Sequence, residues 1–438
     1  MSAPETVLVV GGGPAGATAA ALLAREGVPV RIIEKSAFPR HHVGESLHPA
    51  SMELLERHFG LRARIAAAGF PRKYGAVYVW GTTRAPWSVL FDARLEVALS
   101  GEEGAGLDEA GLLSGDFEHA WNVDRAQFDA ILLDEAMARG AVLETGVEAL
   151  SPLLEGDRVV GLRVRTPAGT EEHWPASHVI DASGQRCLLG NHFGMIRAIE
   201  DMHATATYAY FEGAGGVDGV LGRHVQLVVT VDEGWVWFIP TSTTRTSVGV
   251  VTRSRERLDE ARFDRILAGA GLPLSGATAV REPYLRFARD WSFLCGRVAG
   301  PGWFCAGDSA CFVDPILSGG VDFAIRGGLN AALAILQGAD GTAYEEALRK
   351  EFRAYLRLAR YWYGNNRSVA GLFWEAHQEI PPNAASLPKR AFVYLTTGHY
   401  AADTHMRVFQ EWQEKKMFRA LGVDVGALRR VISPRTPT

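Results

Sequence analysis

The chain has 438 residues, enough for two or three domains. Its 47% apolar and 22% charged content is ordinary for a globular protein with a large core. A formal net charge of -5 implies no broad basic surface for nucleic acid. No stretch reaches the ~18 to 20 uncharged apolar residues of a membrane span. Cys187, Cys295, Cys305 and Cys311 form no CxxC pair, and no His cluster stands at metal-ligand spacing. Small buried thiols, no metal and a reducing, cytoplasmic setting are therefore expected, with no leader ahead of the first strand.

In chain order, residues 7–10 form a short β-branched and Leu run that predicts a buried parallel strand. A helix over 17–25 follows, with Gly27 as its C-cap, and then a second buried strand over 30–33, making a βαβ unit. Residues 98–116, with five glycines among acids, read as a mobile surface loop. A helix is predicted over 128–139 and strands over 159–165 and 179–180. Segments 205–211, 225–231, 235–239 and 247–251 read as antiparallel strands of an inserted sheet. Residues 304–307 return to the strand-then-glycine style of the N-terminus. From about Thr342 the chain is mainly helical, broken by Pro381, Pro382 and Pro388.

The fold class is thus α/β: a Rossmann-like nucleotide-binding domain with an inserted antiparallel β-sheet substrate domain and a helical C-terminal region. The expected division assigns 1–80, 100–190 and 290–340 to the first, 81–99 and 191–289 to the second, and 341–438 to the third.

Gly11, Gly13 and Gly16 fill GxGxxG across Gly11-Gly12-Gly13-Pro14-Ala15-Gly16. The first glycine permits the tight turn, the second lets backbone approach a pyrophosphate, and the third lets helix pack on strand. The helix N-terminus offers free N–H groups to phosphate. Glu34 ends the second strand, where a carboxylate takes ribose hydroxyls and repels a 2′-phosphate, favouring FAD or NAD over NADP.

Later segments choose FAD. Phe304-Cys305-Ala306-Gly307-Asp308 resembles the second flavin motif of the glutathione-reductase-like FAD monooxygenases. Asp181-Ala182-Ser183-Gly184 resembles their middle motif, and Arg125 matches their cofactor-contacting Arg. The resemblance spans about residues 5 to 335. Through it, Pro14, Ala15, Lys35, Arg40, Ser46, Gly307, Asp308, Pro315, Gly319 and Gly320 are also expected around the cofactor.

Three further features resemble the flavin-dependent halogenases of phenol and pyrrole type. Trp235-Val236-Trp237-Phe238-Ile239-Pro240 matches their WxWxIP signature. In a strand Trp235 and Trp237 share a face. The resemblance implies an active-site wall of Trp235, Trp237 and Pro240 between flavin and substrate; the residues alone would equally suit a buried core pair. Lys73, after Gly44-Glu45-Ser46, stands where the family's essential Lys sits, and neighbouring Arg72 is the competing assignment. A desolvated amine has a lowered pKa and acts as nucleophile or donor. Phe312, Pro315, Ser318 and Gly320 match FxxPxxSxG. Ser318, Gly319 and Gly320 could offer N–H groups to a halide, or only contact the flavin ring. Leu317 occupies the place where tryptophan halogenases carry a Glu, which argues for a ring that is already activated.

The resemblance implies a halogenase using FADH2, O2 and chloride or bromide. A separate NAD(P)H-dependent flavin reductase would supply the reduced flavin, since no second nucleotide fold is visible. Hypohalous acid would pass to Lys73, which would hydrogen-bond it or become a haloamine. An electron-rich aromatic, free or bound to a carrier protein, would then be halogenated, in natural-product (antibiotic) biosynthesis. The alternative is a single-component FAD-dependent hydroxylase or epoxidase. A reductase of the geranylgeranyl type and a non-catalytic flavin carrier are more distant readings. Aromatic clusters at Tyr361-Trp362-Tyr363 and Phe373-Trp374, and basic Arg353, Arg357 and Arg360, suit either a substrate cover or ordinary helix faces.

Overall fold

The structure is a computed structural model; it describes residues 6–80, 84–100, 107–281, 283–289, 291–363 and 393–399. Its first layer is a six-stranded sheet in the order Ala299–Gly300, Trp303–Cys305, His178–Asp181, Val7–Val10, Val30–Glu34, Val142–Thr145. All pairings are parallel except that of Ala299–Gly300. Val7–Val10 is apolar at every position because both faces of this sheet are covered. Helix Pro14–Arg25 packs on helix Gly320–Leu336, and the approach is close. A Cβ on Gly328 would lie 2.2 Å from the Ala15 carbonyl oxygen.

The second sheet has eight strands. Its path runs Thr278–Ala279, Thr205–Glu212, Arg245–Thr252, Gly234–Pro240, Gln226–Val231, Gly75–Val79, Pro86–Leu90, and Arg286–Arg289 also pairs with Thr205–Glu212. Alternation along Gly234–Pro240 sends Val236 and Phe238 into one core with Phe263. It sends Trp235, Trp237 and Ile239 into the other.

The structure corrects the sequence reading in three places. Residues 98–116 are not one loop: Ala93–Ser100 and Glu109–Ser114 are helices, the second capped by Asp108, whose carboxylate accepts from Gly111 N, and anchored by buried Leu112. The inserted sheet is not wholly antiparallel, since Gln226–Val231 pairs parallel with Gly75–Val79. That strand also carries the sheet back across residue 80. A three-stranded antiparallel meander, Glu148–Glu155, Arg158–Arg165 and Glu171–Pro175, stands within 100–190. The other predicted strands and helices form, with shifts of a few residues at their ends.

All four cysteines are free and buried. Helix Thr342–Tyr363 bears out the first part of the helical reading from Thr342; most of the rest lies outside the described residues. Phe373-Trp374 and the three prolines lie outside the described residues. Among those described, no helix is long and apolar enough to cross a membrane.

Candidate active site

A cavity of about 550 Å³ runs from the first βα turn to the tryptophan strand. Gly11, Gly13, Pro14 and Ala15 form one end. Gly11 takes φ +99°, and a Cβ there would meet the Ala182 oxygen at 2.4 Å. Gly16 faces inward instead: a Cβ would lie 1.9 Å from the Gly11 oxygen, so its role is strand–helix packing. Gly13 caps helix Pro14–Arg25 with no side-chain bond, leaving the first-turn N–H groups free for an anion. Buried Glu34 is preset, accepting from Gly12 N at 3.0 Å and Ser36 N at 2.8 Å. Lys35 and Arg40 stand beside it on the wall, with Arg40 Nε 3.9 Å from Glu34 Oε2. This arrangement fits a dinucleotide: a glycine cradle, a free helix N-terminus and a ribose acceptor at one end of an elongated cavity.

Arg125 lies at the start of helix Arg125–Ala138, buried and doubly bonded to Asp129. Its Nη1 donates to the carbonyls of Val43 and Gly44, so it holds the Gly44-Glu45-Ser46 loop against the cavity. Asp308 also lines the cavity; burial raises its carboxyl to about 6, opposed by the nearby Arg125 charge. Asp181 and Gly307 are placed differently from the cofactor contacts expected of them. Asp181 accepts from Ser183 N and Leu189 N, and it is Ala182 and Ser183 of its turn that reach the wall. Gly307 packs against Ala15 and Ala324.

Trp235 and Trp237 both line the cavity, with ring centroids 6.0 Å apart and planes at 52°. Each indole is fixed by one hydrogen bond. Trp235 Nε1 donates to Tyr363 Oη at 2.8 Å, and Trp237 Nε1 to Ser247 Oγ at 3.1 Å. Tyr363 in turn donates to Asp314 Oδ1 at 2.9 Å. Burial pushes the Asp314 carboxyl up to about 7. Helix Thr342–Tyr363 thus clamps the tryptophan strand to the loop before Pro315. Pro240 is buried at the end of the same strand, off the cavity wall.

Lys73 is not on the wall of this cavity. It sits on strand Arg72–Lys73, paired with Ala120–Trp121, and is 1% exposed. Its Nζ donates to the Leu47 carbonyl at 3.0 Å and lies 5.2 Å from the centre of the Phe91 ring. Burial alone lowers the amine to about 7. Arg72, the competitor, is half-buried and bonds the Leu113 carbonyl and Tyr74. Adjoining Leu47 in the chain, buried His48 hydrogen-bonds the Leu317 backbone, and burial together with the Lys73 charge holds its imidazole well below its ordinary value. Leu317 itself is buried.

Ser318 has φ +55° and ends the short helix Pro315–Leu317, and Gly319 caps helix Gly320–Leu336 without a side-chain bond. Ser318 N–H is already spent on the Pro315 carbonyl and Gly319 N–H on Tyr355, which leaves Gly320 and its successors as the free donors. Pro315, Ser318 and Gly320 line the cavity; Gly319 does not.

Two groups were missed from sequence. Gln226 Oε1 accepts from Ser46 Oγ at 2.6 Å and from Ser318 Oγ at 3.1 Å, tying the Gly44-Glu45-Ser46 loop to the Ser318 turn. Glu45 is buried and pushed up to about 7 by desolvation; it takes a hydrogen bond from Tyr210, which is bonded to His41 at the surface. No local pattern could flag either, because the Ser46–Gln226 and Glu45–Tyr210 partners lie 180 and 165 residues apart.

Residues 5–354 match the family described as FAD binding domain. The chain is 31% identical over 394 residues to a tryptophan 2-halogenase of Chondromyces crocatus, covering 85% of this chain and 70% of that one. This chain belongs to the flavin-dependent halogenases. It is an FAD-dependent oxidoreductase. A 1H-pyrrole-2-carbonyl peptidyl-carrier-protein chlorinase of Pseudomonas fluorescens is 30% identical over 386 residues, covering 82% of this chain and 81% of that one. The structure of the myxobacterial chondrochloren halogenase CndH superposes with a TM-score of 0.72 at 30% identity, over 91% of this chain and 92% of that one. The architecture is therefore that of the FAD-dependent halogenases, and halogenation is the activity of the group.

Proposed function

We propose that this halogenase acts on an electron-rich ring of phenol or pyrrole type, free or carrier-bound, in natural-product biosynthesis, with Lys73 handling the halogen. One observation carries the reading: an amine that is 1% exposed, lowered to about 7, and set off the cavity wall that the tryptophan pair lines. Near neutral pH about half of such an amine is the free base, the form that reacts with an electrophilic halogen, whereas an ordinary lysine is almost wholly protonated.

Gly11, Gly13, Pro14, Ala15, Glu34, Arg40, Ser46, Arg125 and Asp308 would hold FAD. Supplied in reduced form by a separate flavin reductase, the bound flavin would provide the electrons that, with O2, convert halide to hypohalous acid. Gly320 at the open helix N-terminus would place the halide. Trp235 and Trp237 would keep the ring from the flavin and water from the oxidant. Lys73 would hydrogen-bond hypohalous acid or exchange an N–H for N–halogen with loss of water, then deliver the halogen as the ring loses a proton. The domain division we propose keeps the bounds given from sequence except that strand Gly75–Val79 goes to the substrate sheet, with which it pairs.

Leu317 supplies no carboxylate to assist a less activated ring, so tryptophan is the discriminating comparison, given the tryptophan 2-halogenase relative. Product masses from phenols, pyrroles, carrier-bound pyrrole and tryptophan, with flavin reductase, NADH, O2 and chloride or bromide, test this. Halogenated phenol or pyrrole is expected. Oxygen insertion on NADH without the reductase would sink the reading, and tryptophan as the preferred ring would sink its substrate class.

A further inference from the structure

The rim of the flavin cavity carries a cluster of arginines that the site itself does not use. Strand Arg286–Arg289 lies at the edge of the large sheet, paired with Thr205–Glu212, and its Phe287 and Ala288 form part of the cavity wall. Phe287 is 36% exposed, so the wall opens to solvent there. Arg257 stacks on Phe287, 4.7 Å from the ring centre. Arg286 sits 5.2 Å from the Tyr210 ring centre and close enough to depress the charge on His41, another wall residue. Arg289 is opposite Thr205, and Arg255 bonds His203, two residues before it. Arg253 reaches the Asp201 carbonyl.

Among the described residues, none of these five forms an ion pair. Of the nearby described acids, Asp201 is paired with Arg360 and shared in part with Arg253, Glu200 is held by His203, and Glu256 is exposed. On a chain of net charge -5 this is a local reversal of sign at the opening of a cavity. None of the five lines the cavity, so they are not needed to hold what is bound.

We propose that this arginine rim is a capture surface that steers the dianionic pyrophosphate of free FAD toward the cavity. A diphosphate ligand approaching an acidic protein is repelled at long range, and a positive rim converts that repulsion into attraction at the opening. Steering of this kind changes association rates by about ten-fold or more and fades as salt shortens the screening length. It should leave dissociation untouched, because none of the five arginines lines the cavity.

The test is stopped-flow quenching of oxidised FAD by full-length apoprotein, as a function of ionic strength. Arg257→Gln/Arg289→Gln should lower the association rate several-fold at low salt, converge with the unaltered protein at high salt, and keep the dissociation rate. Arg257→Glu/Arg289→Glu should deepen the loss to about ten-fold or more. Thermal melts confirm that each variant is folded, and the single substitutions replace any that is not. Equal association rates at low salt would overturn the proposal, as would an effect confined to dissociation. If FAD capture is unchanged and only halogenation of a carrier-bound ring falls, the rim serves an acidic carrier and the proposal is wrong.

Discussion

The indole of Trp237 occupies the space that a side chain on Gly249 would need. The two residues pair across neighbouring strands, and a Cβ on Gly249 would lie 2.2 Å from Trp237 Cζ2. The absence of a side chain on one strand therefore sets the position of the wall on the next. Gly249→Ala should displace the indole and break its bond to Ser247, costing about 1–3 kcal/mol of stability. If the wall keeps oxidant and substrate apart, halogenated product per O2 consumed should also fall. Measuring both yields against thermal stability checks this; an unchanged product ratio in a destabilised variant would deny the wall its proposed role.

Lys73 gives two separable outcomes. Lys73→Ala should still oxidise reduced flavin, because the residue is off the cavity wall, but form no halogenated product. Continued halogenation by that variant would remove Lys73 from the chemistry.

The same amine affects stability. Its folded pKa, about 7, lies below the ordinary 10.5, so between those values the unfolded chain binds more protons and stability rises with pH. The burial penalty is fully present below about 7 and gone above about 10.5. Lys73→Met keeps the shape and removes the penalty, so it should be more stable by roughly 2–4 kcal/mol at pH 7, with the gain shrinking toward pH 10.5. Denaturant titrations at several pH values read this directly.

Glu45 should behave in the opposite sense. Its folded pKa is raised from 4.5 to about 7, so its favourable contribution is complete below 4.5 and lost as pH rises through 7. Glu45→Gln retains an acceptor for Tyr210 without the titration. It should match the unaltered protein at pH 4.5 and exceed it by roughly 3 kcal/mol at pH 8. Parallel stability curves for the two proteins would show that Glu45 is not buried as described.

Much of this was legible in the sequence because it is local. The strand–Gly loop–helix of Gly11 to Gly16, Glu34 at the end of the next strand, and the period-two placing of Trp235 and Trp237 each depend on residues a few positions apart. What was not legible is what the fold brings together. Asp181 has the motif of a cofactor contact, yet its carboxylate turns inward to two backbone N–H groups. The tie from Trp235 through Tyr363 to Asp314 joins a strand, a helix and a loop. The helix Glu109–Ser114 was hidden by glycines whose composition suggests a loop, while its stability comes from the Asp108 cap and buried Leu112.

Gln226 offers the sharpest test of the halide turn. Its single Oε1 serves both Ser46 and Ser318, so one atom fixes the spacing between a loop on the flavin side and the open N-terminus of helix Gly320–Leu336. Gln226→Leu fills a similar volume but leaves two hydroxyls without their acceptor, a cost of about 1–3 kcal/mol. If the halide sits at that helix terminus, loosening the Ser318 turn should raise the halide KM about ten-fold while the aromatic KM stays within about two-fold. Gln226→Glu, which keeps an acceptor but adds charge, should raise the halide KM further, because a carboxylate repels the anion that the helix terminus attracts. Steady-state rates at varied chloride and bromide distinguish these cases. A rise in aromatic KM with halide KM unchanged would move the halide away from Ser318 and Gly320.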